Sequence, residues 1–155
     1  MTTRRQFLVL ACGAAAGAAQ AQLPPNIEAL RKAALRDALH KVTGDAPVQR
    51  GRVKLDVPPL IDNGNSVALT VEVASPMTAA DHVKAIHVFT EKNPQPYIIT
   101  ARIGPRAGRA RVTTRARIAD SGTIIAIAQM SDGSFWSDSV DVVVTLSACL
   151  EDGLI

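Results

Sequence analysis

Between Asn26 and Gly44 the apolar residues Ile27, Leu30, Ala34, Leu35, Ala38, Leu39 and Val42 recur at intervals of three and four. That spacing gathers them on one stripe of a helix and leaves the charged positions on the opposite side. Asn26 suits the N-cap and Gly44 the stop. Glu28 and Lys32 stand one turn apart and predict an i,i+4 pair on the wet face. One amphipathic helix is expected within residues 22–44, followed by "DAPVQRG" as a linker.

After this linker the period changes to two. "RVKLDV" alternates Val53, Leu55 and Val57 to one side, and "VALTVEV" does the same with Val67, Leu69, Val71 and Val73, the turn-forming "PPLIDNGN" lying between them. The segments "VKAIHVFT", "YIITARI", "RARVTTRARI", "TIIAIAQM" and "FWSDSVDVVVTL" follow. They are separated by "EKNPQP", "GPRAG", "ADSG" and "SDG", whose Gly, Pro, Asn and Asp residues favour turns. About seven short strands with turn signals at roughly ten-residue intervals predict an all-β fold, an immunoglobulin-like antiparallel β-sandwich over residues 45–146. A partly open barrel is the alternative. Four aromatic residues are left once Phe7 is set aside, so the core must be built from Val, Ile, Leu and Ala. Trp136 is expected in that core, at the start of the last strand.

The two ends of the chain add chemistry. "TTRRQFLVLACGAAAGAAQAQ" joins an arginine pair to a weakly apolar, alanine-rich run and a small-residue cleavage site at Ala19-Gln20-Ala21. It reads as a twin-arginine export signal over residues 1–21, leading to the periplasm. The run is shorter than the roughly 20 residues of a membrane span. Cleavage removes Cys12 and leaves Cys149 as the single thiol. In an oxidising compartment a lone cysteine is a free reactive thiol, an intermolecular bond or a stray residue. Cys149 follows the β-branched run "VDVVVTLSAC", in a C-terminal arm over 147–155, three residues beyond Leu146 and thus at most about 10 Å from it.

Charge changes the picture less. The formal +3 of the whole chain drops to +1 without Arg4 and Arg5, so the basic balance is no nucleic-acid signature, and the chain offers no aromatic platform for bases. Arginines crowd one stretch: Arg102, Arg106, Arg109, Arg111, Arg115 and Arg117 occur without an intervening acid, whereas the acids from Asp120 onward have no base among them. Arg109 and Arg111 share a strand face, as do Arg115 and Arg117. They form either a solvated face paired with neighbouring acids or a docking surface for a charged partner or an anion. His82 and His87 are five apart, an odd spacing that sends them to opposite strand faces. His40 sits on the helix. No metal site or cofactor is expected, and neither a nucleophile elbow nor a phosphate loop is present.

At this point the strings "AALRDAL", "IDNGNSVALTVEVASPMTAADHVKAIHVFTEKNPQP", "RIGPRAGRARVTTRARIADSGTIIAIAQMSDGSFWS" and "VVVTLSAC" resemble the SoxY family, the sulfur-carrier subunit of the periplasmic thiosulfate-oxidising (Sox) system. The resemblance implies an immunoglobulin-like fold, a heterodimer with a SoxZ subunit, and a carrier rather than an enzyme. It also implies that Cys149 holds the substrate covalently. A c-type haem thiosulfate-conjugating enzyme, a thiol sulfate hydrolase and a sulfane dehydrogenase would then act on what it carries. One feature departs from the family pattern, which ends Gly-Gly-Cys-Gly-Gly. Here Ser147 and Ala148 precede Cys149, and Leu150, Glu151 and Asp152 follow. The alternative is a SoxY-like structural or partner-binding subunit in which Cys149 is vestigial.

Overall fold

The structure, a computed structural model, describes residues 26–146; the expected export signal, Cys12, Cys149 and the rest of the 147–155 arm lie outside them. One helix, α1 (Ile27–Thr43), precedes nine strands: β1 (Val48–Arg50), β2 (Val53–Asp56), β3 (Leu60–Ile61), β4 (Val67–Val73), β5 (Val83–Thr90), β6 (Tyr97–Arg102), β7 (Ala110–Ala116), β8 (Gly122–Met130) and β9 (Phe135–Val144). A single 3-10 turn, Pro105–Ala107, joins β6 to β7. The larger sheet runs β1-β9-β8-β5-β6 with β3 added to β9, and the smaller runs β2-β4-β7. The seven expected strands are all present, and the fold is a β-sandwich with one N-terminal helix.

The alternation read from the sequence puts one face of each sheet into a shared interior. Val53 and Leu55 of β2, Leu69 and Val71 of β4, and Ala110 and Ala116 of β7 meet Ile86 and Val88 of β5, Ile124, Ala126 and Ala128 of β8, and Val142 of β9. β-Branched and small side chains suit this pleated interface. The opposite face of the larger sheet is covered too. Leu35, Ala38, Leu39 and Val42 of α1 pack on Phe89, Ile127 and Phe135, so the molecule has three layers, helix on sheet on sheet.

Helix ends follow the sequence. The Asn26 side chain accepts a hydrogen bond from the Ala29 N–H at 3.1 Å, and at Gly44, with φ of 56°, the N–H donates to the His40 carbonyl at 2.7 Å. Two expectations along the helix change. Ile27 and Leu30 belong to the apolar stripe by spacing, yet they are 48% and 67% exposed, and the helix residues that pack on the sheet begin at Leu35. Glu28 does not pair with Lys32; its carboxylate meets Lys92, from the loop after β5, at 2.5 Å. That cation holds the Glu28 carboxyl below its usual range and is itself pushed upward in return.

Two segments expected as connections are strands. Within "DAPVQRG", Val48–Arg50 pairs in parallel with Phe135–Ser137, and within "PPLIDNGN", Leu60–Ile61 pairs in parallel with Val143–Val144. Neither carries an alternation: all three residues of β1 are exposed and β3 has two residues. Between these two pairings the Asp138 carboxylate accepts the Leu55 N–H at 2.8 Å, so β9 also grips the smaller sheet. Trp136 is half-buried rather than central. It packs on the edge of the core with the Arg52 guanidinium 5.1 Å from its ring centroid, while its neighbour Phe135 is the buried residue, under the helix.

Candidate functional site

The strand that leads to Cys149 is held on both sides. β9 pairs with β8 from Gly122↔Val142 to Gln129↔Phe135. At its last residue and over the two that follow the backbone remains tied. The Val144 N–H donates to Ser121 Oγ at 2.8 Å, the Thr145 N–H to the Ile61 carbonyl at 2.9 Å, and the Leu146 carbonyl accepts from the Gly64 N–H at 2.9 Å. Every such bond fixes a backbone group that would otherwise remain free. The polypeptide is therefore anchored through Leu146, three positions before Cys149 in the sequence. Around this exit the side chains are apolar and exposed: Leu60 at 59%, Val143 at 56% and Leu146 at 66%.

The arginines occupy one face. β7 alternates regularly, with Ala110 and Ala116 inward and Arg111, Thr113 and Arg115 outward; Arg109 and Arg117 flank it, also exposed. Register places Arg111 beside Glu72 of β4, which in turn stands beside Lys54 of β2, and Thr113 Oγ1 lies 3.0 Å from Thr70 Oγ1. Arg115 donates to the Ser66 carbonyl at 3.3 Å. Ion pairs among the described residues are His40–Asp45, Arg52–Asp81 and Lys92–Glu28, so none of Arg109, Arg111, Arg115 and Arg117 is neutralised there. This face is the outer surface of the smaller sheet, left bare by the described residues.

A second polar constellation was not evident from the sequence. His82 precedes β5 and its Nδ1 lies 3.1 Å from the Thr78 carbonyl. His87 sits mid-strand on the helix-covered side, with Nδ1 at 2.6 Å from Thr100 Oγ1, whose hydroxyl also receives the Tyr97 O–H. His87, Lys84, Ala85, Tyr97, Thr100, Arg102, Gln129 and the helix residue Val42 enclose an open cavity of about 720 Å³. Lys84 joins it because β5 bulges between Val83 and Ala85. A signal existed: Val83 and Ile86 both lie in the inter-sheet core, a three-residue interval that a regular strand cannot provide and a bulge can.

Comparisons with known proteins agree with this architecture. The family model described as "Sulfur oxidation protein SoxY" matches residues 39–149. Among solved structures, the sulfur carrier protein SoxY from Chlorobium limicola f. thiosulfatophilum superposes with a TM-score of 0.62 at 25% identity, covering 74% of this chain and 99% of its own. Superoxide reductase (neelaredoxin) from Ignicoccus hospitalis shares the fold at a TM-score of 0.55 and 18% identity, over 61% of this chain and 80% of its own. The superoxide reductase of Nanoarchaeum equitans does so at 0.52 and 13%, over 62% and 100%. Comparison with curated proteins finds no match. A family match over more than two thirds of the chain, joined to the same sandwich in a carrier structure, settles membership: this chain belongs to the SoxY family of sulfur oxidation proteins.

Proposed function

We propose that the protein is a covalent carrier of sulfur compounds in thiosulfate oxidation, holding intermediates on Cys149 while partner enzymes act on them. The observation that carries this reading is positional. The family match ends at residue 149, the cysteine itself, and the strand before it is bonded into the sandwich as far as Leu146. A carrier has to offer one sulfur to several active sites in turn. That requires a nucleophile beyond the folded body, on a short tether, without a second thiol to resolve it as a disulfide.

The chemistry balances with the partners that the family implies. The Cys149 thiolate and the outer sulfur of thiosulfate form an S–S bond and give up two electrons, which the c-type haem conjugating enzyme accepts. Water then cleaves the S–SO₃ bond at the hydrolase, releasing sulfate and two protons and leaving a persulfide, whose terminal sulfur is the substrate of the sulfane dehydrogenase. A SoxZ-like subunit completes a heterodimer, and export by the twin-arginine route delivers the protein to the periplasm. Glu151 and Asp152 follow the thiol two and three positions later in the sequence, and like charge disfavours both a thiolate and a sulfonate.

The intact mass of the protein, recovered with its partners from cells growing on thiosulfate, tests the reading before and after a thiol reductant. A reductant-labile adduct of sulfur or thiosulfate size, absent from Cys149→Ser, is expected. An unmodified thiol in actively oxidising cells overturns the proposal in favour of a structural subunit.

A further inference from the structure

The cavity at the foot of α1 is built from four elements. Across the outer face of the larger sheet, register sets Gln129 of β8, Ala85 of β5 and Arg102 of β6 in one row, and Ile127, His87 and Thr100 in the next. Ala85, the smallest side chain of the first row, forms the floor. Arg102 stands to one side of it, Gln129 to the other, and the bulge turns Lys84 to the same side of the sheet. Val42 closes the wall. At the helix end that contributes it, the Gly44 N–H donates to the His40 carbonyl at 2.7 Å and the Ala46 N–H to that of Thr43 at 3.1 Å.

The lining selects for negative charge. Among the described residues Lys84 and Arg102 form no ion pair, and no carboxylate lines the cavity. Asp37 belongs to the adjoining groove, on the far side of Val42 and Tyr97. The remaining polar groups are the Gln129 amide and a relay in which the Tyr97 O–H donates to Thr100 Oγ1 and the Thr100 O–H can donate to His87 Nδ1, leaving the ring's Nε2–H as the outer donor. Burial, and then the Arg102 charge, hold the His87 imidazole below its ordinary value, so it is neutral at pH 7 and one of its nitrogens bears a proton. Its Nε2 is shielded from solvent and has no hydrogen-bond partner among the described residues, an arrangement that calls for a ligand or an explanation. Two fixed cations beside neutral donors in a concave, partly apolar site match the way small oxyanions are held.

We infer that this cavity is a non-covalent binding site for a small tetrahedral oxyanion, held by Lys84 and Arg102 with hydrogen bonds from His87 Nε2–H and the Gln129 amide. The volume admits such an ion with part of its hydration shell. That the ion is one of sulfur, thiosulfate or sulfate, rests on the carrier reading; the site itself rests on the geometry.

The occupant is a free ion and not the chain's own loaded arm. Gly122 pairs with Val142 near the exit of β9, and Gln129 pairs with Phe135 at the other end, a run along β8 of roughly 23 Å at about 3.3 Å per residue. The stretch from Leu146 to Cys149 reaches at most about 10 Å and starts from the wrong end. The root of the covalent arm at Leu146 and this cavity are thus at opposite ends of β9, and a carrier with both can meet its free substrate or product away from that root.

The test uses the full chain carrying Cys149→Ser, in which covalent loading is removed, so failure here is distinct from failure of the carrier reading. Sodium sulfate and sodium thiosulfate are titrated against sodium chloride at matched ionic strength while backbone amide and imidazole resonances are followed by NMR. Saturable shifts centred on Lys84, Ala85, His87 and Arg102 are expected for the two dianions, with affinity reduced at least about tenfold in Lys84→Gln with Arg102→Gln. Both substituted side chains are exposed, and an unchanged amide spectrum elsewhere checks that the variant is folded. Shifts that do not saturate, that chloride reproduces, or that centre on Arg109 to Arg117 instead overturn the site, as does undiminished binding by the folded double variant.

Discussion

The outer faces of the two sheets are opposites. That of the larger sheet carries Phe89, Ile127 and Phe135 and is roofed by α1; that of the smaller carries Lys54, Glu72, Arg111, Thr113 and Arg115 and meets water. The contrast shows in the burial patterns. β4 reads buried and open in strict turn, whereas in β5 six of eight positions are buried. A sheet with one wet face must alternate, and a sheet covered on both faces has no such need. The roofed face has become a place for polar groups in a sheltered setting, the bare face a place for fixed charge.

If this contrast is sound, the largest effect should come from breaking the roofed face. Phe89→Ala, at a fully buried position, should lower unfolding free energy by about 3–5 kcal/mol in urea melts, with faster amide exchange along α1. A loss below 1 kcal/mol would mean that the helix contributes little to the fold. A smaller effect concerns His87. Its folded value lies below the ordinary 6.5 because burial penalises the charged ring. Below 6.5 the unfolded chain binds a proton that the folded chain refuses. Stability is therefore whole above that pH and should fall as pH drops from 6.5 toward the folded value. His87→Gln should flatten this part of the profile, and an unchanged slope would assign the titration elsewhere.

On the bare face, Arg109→Glu with Arg111→Glu should change stability by no more than about 0.5 kcal/mol, since neither side chain is ion-paired among the described residues. If those arginines dock the partner subunit, the same variant weakens co-purification while leaving the melt in place; undiminished co-purification returns them to a solvated face. Smallest of all, Glu28→Gln should leave the unfolding midpoint at physiological salt unmoved, because the Lys92 pair is at the surface, where such pairs are screened. A clear shift would show that the helix is held by its charge and not by its apolar seam.

Legibility in the sequence follows the same division. The strictly alternating strands β2 and β4 announce themselves with Val53, Leu55, Val67, Leu69, Val71 and Val73 all inward. Helix α1 is equally plain from its stripe and caps, except that spacing does not say which part of a stripe meets the sheet, and Ile27 and Leu30 are outside the part that does. β1 and β3 were hidden because a short edge strand is defined by a distant partner and not by its own pattern. The cavity was hidden for a related reason: Lys84 and Arg102 are brought together by register and by a bulge, and neither has a local signature. The position of Cys149 past the last β-branched run is clear in the sequence, and the structure supplies the anchored root from which it departs.

That root has a consequence in time. β9 is the last strand to be synthesised, yet it pairs with β1 and β3 near the start of the fold, and its Asp138 bonds Leu55 across 83 residues of sequence. Such non-local pairings close late and slowly. Without β9 a chain can form the β5–β6 edge of the larger sheet but not the side where β1 and β3 pair, so the segment ending at Leu146 is locked only when the entire domain has been assembled. The fixed base at Leu146 therefore exists in finished molecules alone.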